Sequence, residues 1–152
     1  MCTSFMGELL TATHNFGVAP IRAATTADTF KAALYLASAT INASTTVYTT
    51  TGEVTGTNYT AGGVTVTNAT APTATNSSAT AGVAYWTPSA SFVYTTVTLS
   101  TAFDTVLLYN STQSNKAVSV HTFGSQTITA GTFTLTMPSN TTTTALLRLS
   151  TT

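Results

Sequence analysis

The sequence predicts an all-β protein, an antiparallel β-sandwich of jelly-roll or immunoglobulin-like type with one short N-terminal helix, and three observations predict it. Roughly a quarter of the 152 residues are threonine, a residue enriched in strands and poor in helix interiors. Short runs of alternating apolar and hydroxyl residues return at roughly 8–12-residue spacing with turn chemistry between them. Hydrophobic residues make up 43% and aromatics 9% of the chain, too many for a mucin-like disordered segment and enough for a core.

The helix is expected over Ser4–Phe16, where Phe5, Met6, Leu9, Leu10 and Thr13 fall at helical spacing. Ser4 is placed to cap it and Gly17 to stop it. Residues 1–17 therefore read as a helix or arm, and 18–152 as a single sandwich domain. Thr29–Ala37 (TFKAALYLA) fits a strand or a short helix by periodicity, and its β-rich sequel favours the strand. Val47–Glu53 reads as extended, Gly56–Gly63 as turns, and Val64–Asn68 as a half-buried strand. The Ala/Thr/Ser stretch Thr70–Gly82 reads as an exposed loop or arm. Further strands are expected around Tyr85-Trp86 and over Phe92–Leu99, Thr105–Tyr109, Ala117–Phe123, Gln126–Ile128, Thr132–Met137 and Ala145–Leu149. Asn110–Asn115 and Ala130-Gly131 carry hairpin-turn chemistry.

Charge excludes several classes of function. Only 5% of residues are charged, and four bases balance four acids, against roughly 25% in an average soluble protein. No field exists to steer nucleic acid or an anionic membrane, so neither is expected as a partner. Cys2 is the single cysteine, which rules out an internal disulfide and a multi-cysteine zinc site. No basic-then-apolar leader opens the chain and no apolar run approaches the roughly 20 residues of a membrane helix. The six Asn-x-Ser/Thr sequons are what chance yields in so Thr-rich a chain. A neutral hydroxyl surface suits a protein docked in a larger assembly, because such a surface costs little to desolvate.

Catalytic chemistry has few candidates. Asp104, His121 and one of the serines offer the members of a triad, but no nucleophile-elbow motif accompanies them. His14 ends the expected helix, where an imidazole can satisfy free carbonyls. Glu8, Asp28, Glu53 and Asp104 are isolated in sequence, so no acid/base pair is indicated. Gly62-Gly63 lacks the Lys-Ser/Thr of a phosphate loop. No catalytic, cofactor or metal site is therefore expected. Tyr85, Trp86, Phe92 and Tyr94 suit core packing, with a sugar-binding platform as the alternative.

The ordered motifs Ser4–Phe16 (SFMGELLTATHNF), Asp28–Tyr35 (DTFKAALY), Gly52–Gly63 (GEVTGTNYTAGG), Leu108–Asn110, Gly131–Leu135 and Ala145–Leu149 carry a resemblance. Together they resemble a family of small virion structural proteins of tailed bacteriophages, over nearly the whole chain. Asn58 stands where glycine is common in that pattern. The resemblance implies a non-enzymatic virion protein made in the bacterial cytoplasm, most simply a capsid decoration (cement) protein on the shell exterior. Its partners would be the major capsid protein or neighbouring virion proteins, and it would act as a homo-oligomer. The alternatives are a neck or tail connector or fibre-attachment subunit, and, from another class, a carbohydrate-binding module. Residues expected to reach a partner are Phe5, Met6, Leu9, Leu10, Phe16 and Tyr59, with the Thr70–Gly82 arm beside them.

Overall fold

A computed structural model describes residues 1–10, 13–16, 27–68, 71–75 and 82–150, leaving aside the side chains of Met6, Gly7 and Leu10. Helix α1 (Thr3–Leu10) precedes β1 (Phe30–Leu36), β2 (Val64–Thr65), β3 (Thr73–Ala74) and β4 (Val83–Trp86). The long strands β5 (Phe92–Asn110) and β6 (Lys116–Leu135) follow, then β7 (Leu147–Ser150). They form two antiparallel sheets, ordered β2-β1-β5-β6 and β3-β4-β7. The expected all-β, sandwich-like fold with a short N-terminal helix is what the chain adopts.

β1 is a strand, and its near-continuous burial explains why periodicity alone was ambiguous. Ala32, Ala33, Leu34 and Tyr35 are all fully buried, as in a central strand covered on both faces. Phe30 packs on Phe16 at 4.4 Å between ring centroids, and Phe16 meets Trp86 edge-on at 4.8 Å. Through this stack the two sheets share one core. Asn68 locks it, accepting the Trp86 indole N–H at 2.9 Å and donating to the Phe16 carbonyl at 2.7 Å.

The helix is shorter than its apolar pattern. The described helix runs from Thr3 to Leu10, and the amide of Thr13 donates to the Glu8 carbonyl at 2.9 Å. Residues 13–16 are non-helical because Asn15 exchanges bonds with Asp28: its amide donates to the carboxylate and its carbonyl accepts the Asp28 amide. Gly17, the expected stop, lies outside the described residues. Ser4 does not cap the helix. It lies inside the first turn, while the amides of Cys2 and Thr3 donate to the carbonyls of Val118 and Ala43.

Two further expectations change. The five separate strands read between Phe92 and Met137 merge into β5 and β6, and what looked like breaks are bulges in a continuous ladder. Ala130-Gly131 is one of them: Ala130 takes φ 47° without reversing the chain, because a partner strand runs on past it. The Asn110–Asn115 turn is present, with Asn110 Oδ1 accepting the amides of Thr112 and Gln113. The Thr70–Gly82 stretch is not wholly a loop, since Thr73 and Ala74 pair with Tyr85 and Ala84; residues 76–81 lie outside the described residues.

Phe30→Ala, at a position 1% exposed, should cost about 3–5 kcal/mol in urea unfolding followed by Trp86 fluorescence.

Candidate functional site

Three places concentrate the chemistry of this chain. The first is the Gly52–Gly63 motif, which folds back on its own glutamate. Glu53 is 6% exposed. One of its oxygens accepts the Tyr48 hydroxyl at 2.6 Å, and the other accepts the Tyr59 hydroxyl at 2.8 Å and the Gly62 amide at 2.7 Å. These partners are themselves tied to the sheet. The Tyr59 oxygen also accepts the Leu34 amide, and the Gly62 carbonyl accepts the Tyr109 hydroxyl. Tyr48 stacks on Tyr109 at 4.7 Å, and the Tyr94 hydroxyl donates to the Ala32 carbonyl.

The glycines of the motif follow from this closeness. A Cβ at Gly63 would collide with the carbonyl of Ala32, and one at Gly56 with the carbonyl of Thr98. Asn58 takes φ 60°, a left-handed conformation that asparagine tolerates next after glycine. Its side-chain amide donates to the Thr96 carbonyl at 2.9 Å. The motif is a plug built on a buried carboxylate, and the expectation of simple turns at Gly56–Gly63 misses that carboxylate.

The second place is the seat of α1. His14 has a fully buried side chain and bonds Glu8 through Nε2 at 2.7 Å. The Lys116 ammonium holds the other Glu8 oxygen at 2.7 Å. On the far side, Asn110 Nδ2 reaches His14 Nδ1 at 3.1 Å and Asp28 at 2.8 Å, and Gln113 donates to Asp28 at 3.1 Å. Burial pushes the His14 pKa below 6.5 despite the pull of Glu8. Burial alone would raise Glu8, but hydrogen bonds from Lys116 and His14 outweigh it and hold Glu8 below 4.5. The expectation that His14 serves free helix carbonyls is replaced by this carboxylate-centred chain.

The third place is an apolar groove of about 80 Å³ between α1 and the smaller sheet, lined by Met1, Phe5, Leu9 and Phe16 on one side and Tyr85, Trp86, Leu147 and Leu149 among those on the other. Met1 and Leu149 are 40% and 41% exposed at this groove.

Of the six residues expected to reach a partner, three line the groove. Phe5 and Phe16 are buried in the chain's own core there, and Leu9 is half-buried. Met6 and Leu10 belong to α1, and their side chains lie outside the described residues. Tyr59 sits apart, bonded to Glu53 and lining a separate cleft of about 140 Å³ with Asn58, Thr60 and Val93. The rings considered for a sugar platform do not form one, since Trp86 and Tyr94 are 2% and 3% exposed in different clusters.

The triad members do not assemble either. His121 Nε2 lies 2.9 Å from Ser119 Oγ, but Ser119 is fully buried and closed to a substrate. Asp104 instead accepts the hydroxyl of its neighbour Thr105. Burial and the N-terminal ammonium push the His121 pKa down to about 4. Among the described residues no group of three or more His, Cys, Asp or Glu side chains could hold a metal ion, and no helix is long and apolar enough to cross a membrane.

Comparison with protein families, with curated proteins and with solved structures finds no match to this chain.

Two outcomes follow from the plug. Glu53→Ala strips the acceptor from two phenols and an amide, and should cost about 3–5 kcal/mol in urea unfolding, as buried donors are left unpaired. Burial raises the pKa of Tyr35, Tyr48, Tyr59, Tyr94 and Tyr109 above 10, the last to about 12. The unfolded chain therefore releases these protons first, so stability should fall as pH rises above 10. Tyrosinate absorbance should then appear for these five together with loss of the β-sheet dichroism; their titration in a chain that stays folded would contradict the cage.

Proposed function

We propose that this protein is a non-enzymatic virion structural protein of a tailed bacteriophage, a decoration protein that binds and stabilises the capsid shell from outside. The observation that carries the reading is the apolar groove beside α1, where Met1 and Leu149 stand exposed on a chain with almost no surface charge. Three of its four acids, Glu8, Asp28 and Glu53, are drawn into internal networks. Among the described residues the exposed surface is mostly hydroxyl and methyl, with Arg148 beside the groove one of few charges, and a partner covers such a surface at low desolvation cost. The motif resemblance supports the same assignment, and the enclosed Ser119 supports a role without catalysis. The partner is the major capsid protein or a neighbouring virion protein, met by several copies on a lattice, where weak contacts add up.

Mass spectrometry of purified virions tests this directly. A copy number about equal to the major capsid protein, or about one third of it, is the expected result. Roughly 5–12 copies would instead indicate a neck or tail ring, and absence from the particle would overturn the assignment. Leu149→Asp, at an exposed position, should weaken binding to undecorated shells by about tenfold or more, measured by co-sedimentation.

A further inference from the structure

We infer that α1 is held by a proton-sensitive clamp, and that uptake of one proton at His14 Nδ1 releases the helix from the edge of the larger sheet while both sheets stay folded.

The hydrogen bonds around His14 specify one protonation state. Asn110 Oδ1 accepts the amides of Thr112 and Gln113, which fixes the orientation of its side-chain amide. Its Nδ2 therefore faces His14 and Asp28, giving one hydrogen to His14 Nδ1 and the other to an Asp28 oxygen. Nδ1 must then be the acceptor, and the proton of the neutral ring sits on Nε2, donated to Glu8. A second proton can enter only at Nδ1, where it meets an N–H donor. Rotating the Asn110 amide would cost both turn amides their acceptor and turn its oxygen toward the Asp28 carboxylate.

The described charged groups that face the imidazole are Glu8 from α1, Asp28 from the segment before β1, and Lys116 from the start of β6. Glu8 and Asp28 favour a protonated ring and Lys116 opposes it, but burial among Phe5, Phe16 and Phe30 outweighs them. The folded pKa is thus depressed below 6.5. The released state takes the proton more readily, so the clamp is intact above 6.5 and weakens as pH falls below it, until the folded pKa is reached. Glu8 acts in the same direction at lower pH, because its pKa is held below 4.5 and its bonds are lost once it is protonated.

Release has local consequences because the clamp ties Glu8 of α1 to His14 and to Lys116 on β6. Among the described residues, the backbone bonds that tie the start of the chain to β6 and the Ala43 loop come from the amides of Cys2 and Thr3, with Cys2 and Phe5 buried and Leu9 packed against the core. The chain carries its own probes: Cys2 is the one cysteine and is fully buried, and Trp86, the one tryptophan, shares the groove with Phe5 and Leu9.

The test labels Cys2 of the full chain with 4,4′-dithiodipyridine, which reacts with thiols at mildly acid pH, from pH 7.5 to 5. Rates are divided by those of a small thiol at each pH. The corrected rate should rise by up to about tenfold per pH unit below 6.5, with a red shift of Trp86 emission and an unchanged β-sheet dichroism. In a His121→Gln background, made because the His121 pKa is depressed across the same window, His14→Gln should abolish the pH dependence that His14 alone leaves. In the wild-type chain, ring ¹⁵N shifts should report the Nε2–H tautomer at neutral pH, a reading that stands even if the variant does not fold. A flat corrected rate, labelling that coincides with loss of the β signal, or an Nδ1–H tautomer would each overturn the clamp.

Discussion

The buried carboxylate of Glu53 is the constraint on which the larger sheet depends. A carboxylate taken out of water must be matched atom for atom, since an unpaired one is far too costly to bury. Among the described residues it is matched by two phenols and an amide, with no cation in the set. Each partner in turn holds something else: Tyr59 the Leu34 amide on β1, Gly62 the Tyr109 hydroxyl on β5. In a low-dielectric interior such chains of bonds reinforce one another. The loop between Gly52 and Gly63 is thereby made part of the core, with Gly63 required by close approach to β1 and Gly56 by close approach to β5.

At the other end of β1 a second polar network does comparable work for the N-terminus. Asp28 gathers Asn15, Asn110 and Gln113, while Glu8 gathers His14 and Lys116. Against this second network lies the aromatic stack of Phe16, Phe30 and Trp86 that joins the sheets. Acid-centred networks therefore lie at either end of β1. This arrangement also accounts for the neutral surface. Three of four acids are used internally, so the exterior is left to threonine, serine and alanine, and association with a neighbour desolvates few charges.

Some of the candidate site was legible in the primary structure and some was not. Phe5 and Leu9 were visible in an apolar stripe and Phe16 as a candidate partner contact, and three-dimensional structure puts them along one groove. On its far wall Leu147 and Leu149 were read as strand and Tyr85 as a core or sugar-platform ring, because nothing local says which distant strand will face a helix. Glu53 looked like an isolated acid. The one local hint was its position in a motif with Tyr59 and Gly62, whose spacing lets a loop close on its own carboxylate. His14 and Asn110 are separated by 96 positions, and no periodicity links them.

By itself, the sequence determined the class of the fold, the core composition and the neutrality of the surface, since these follow from residue type and short-range alternation. It also determined the turn at Asn110–Asn115, where side-chain bonding is local. Tertiary structure alone decided that β5 and β6 run unbroken through their bulges, because a residue at positive φ reverses the chain or merely kinks it according to whether a partner strand continues beside it. It alone decided that residues 13–16 leave helical geometry, because the Asp28 carboxylate holds the Asn15 amide. And it alone turned scattered acids into two networks, since the electrostatic cost of burying a carboxylate is settled by whichever donors the fold delivers to it.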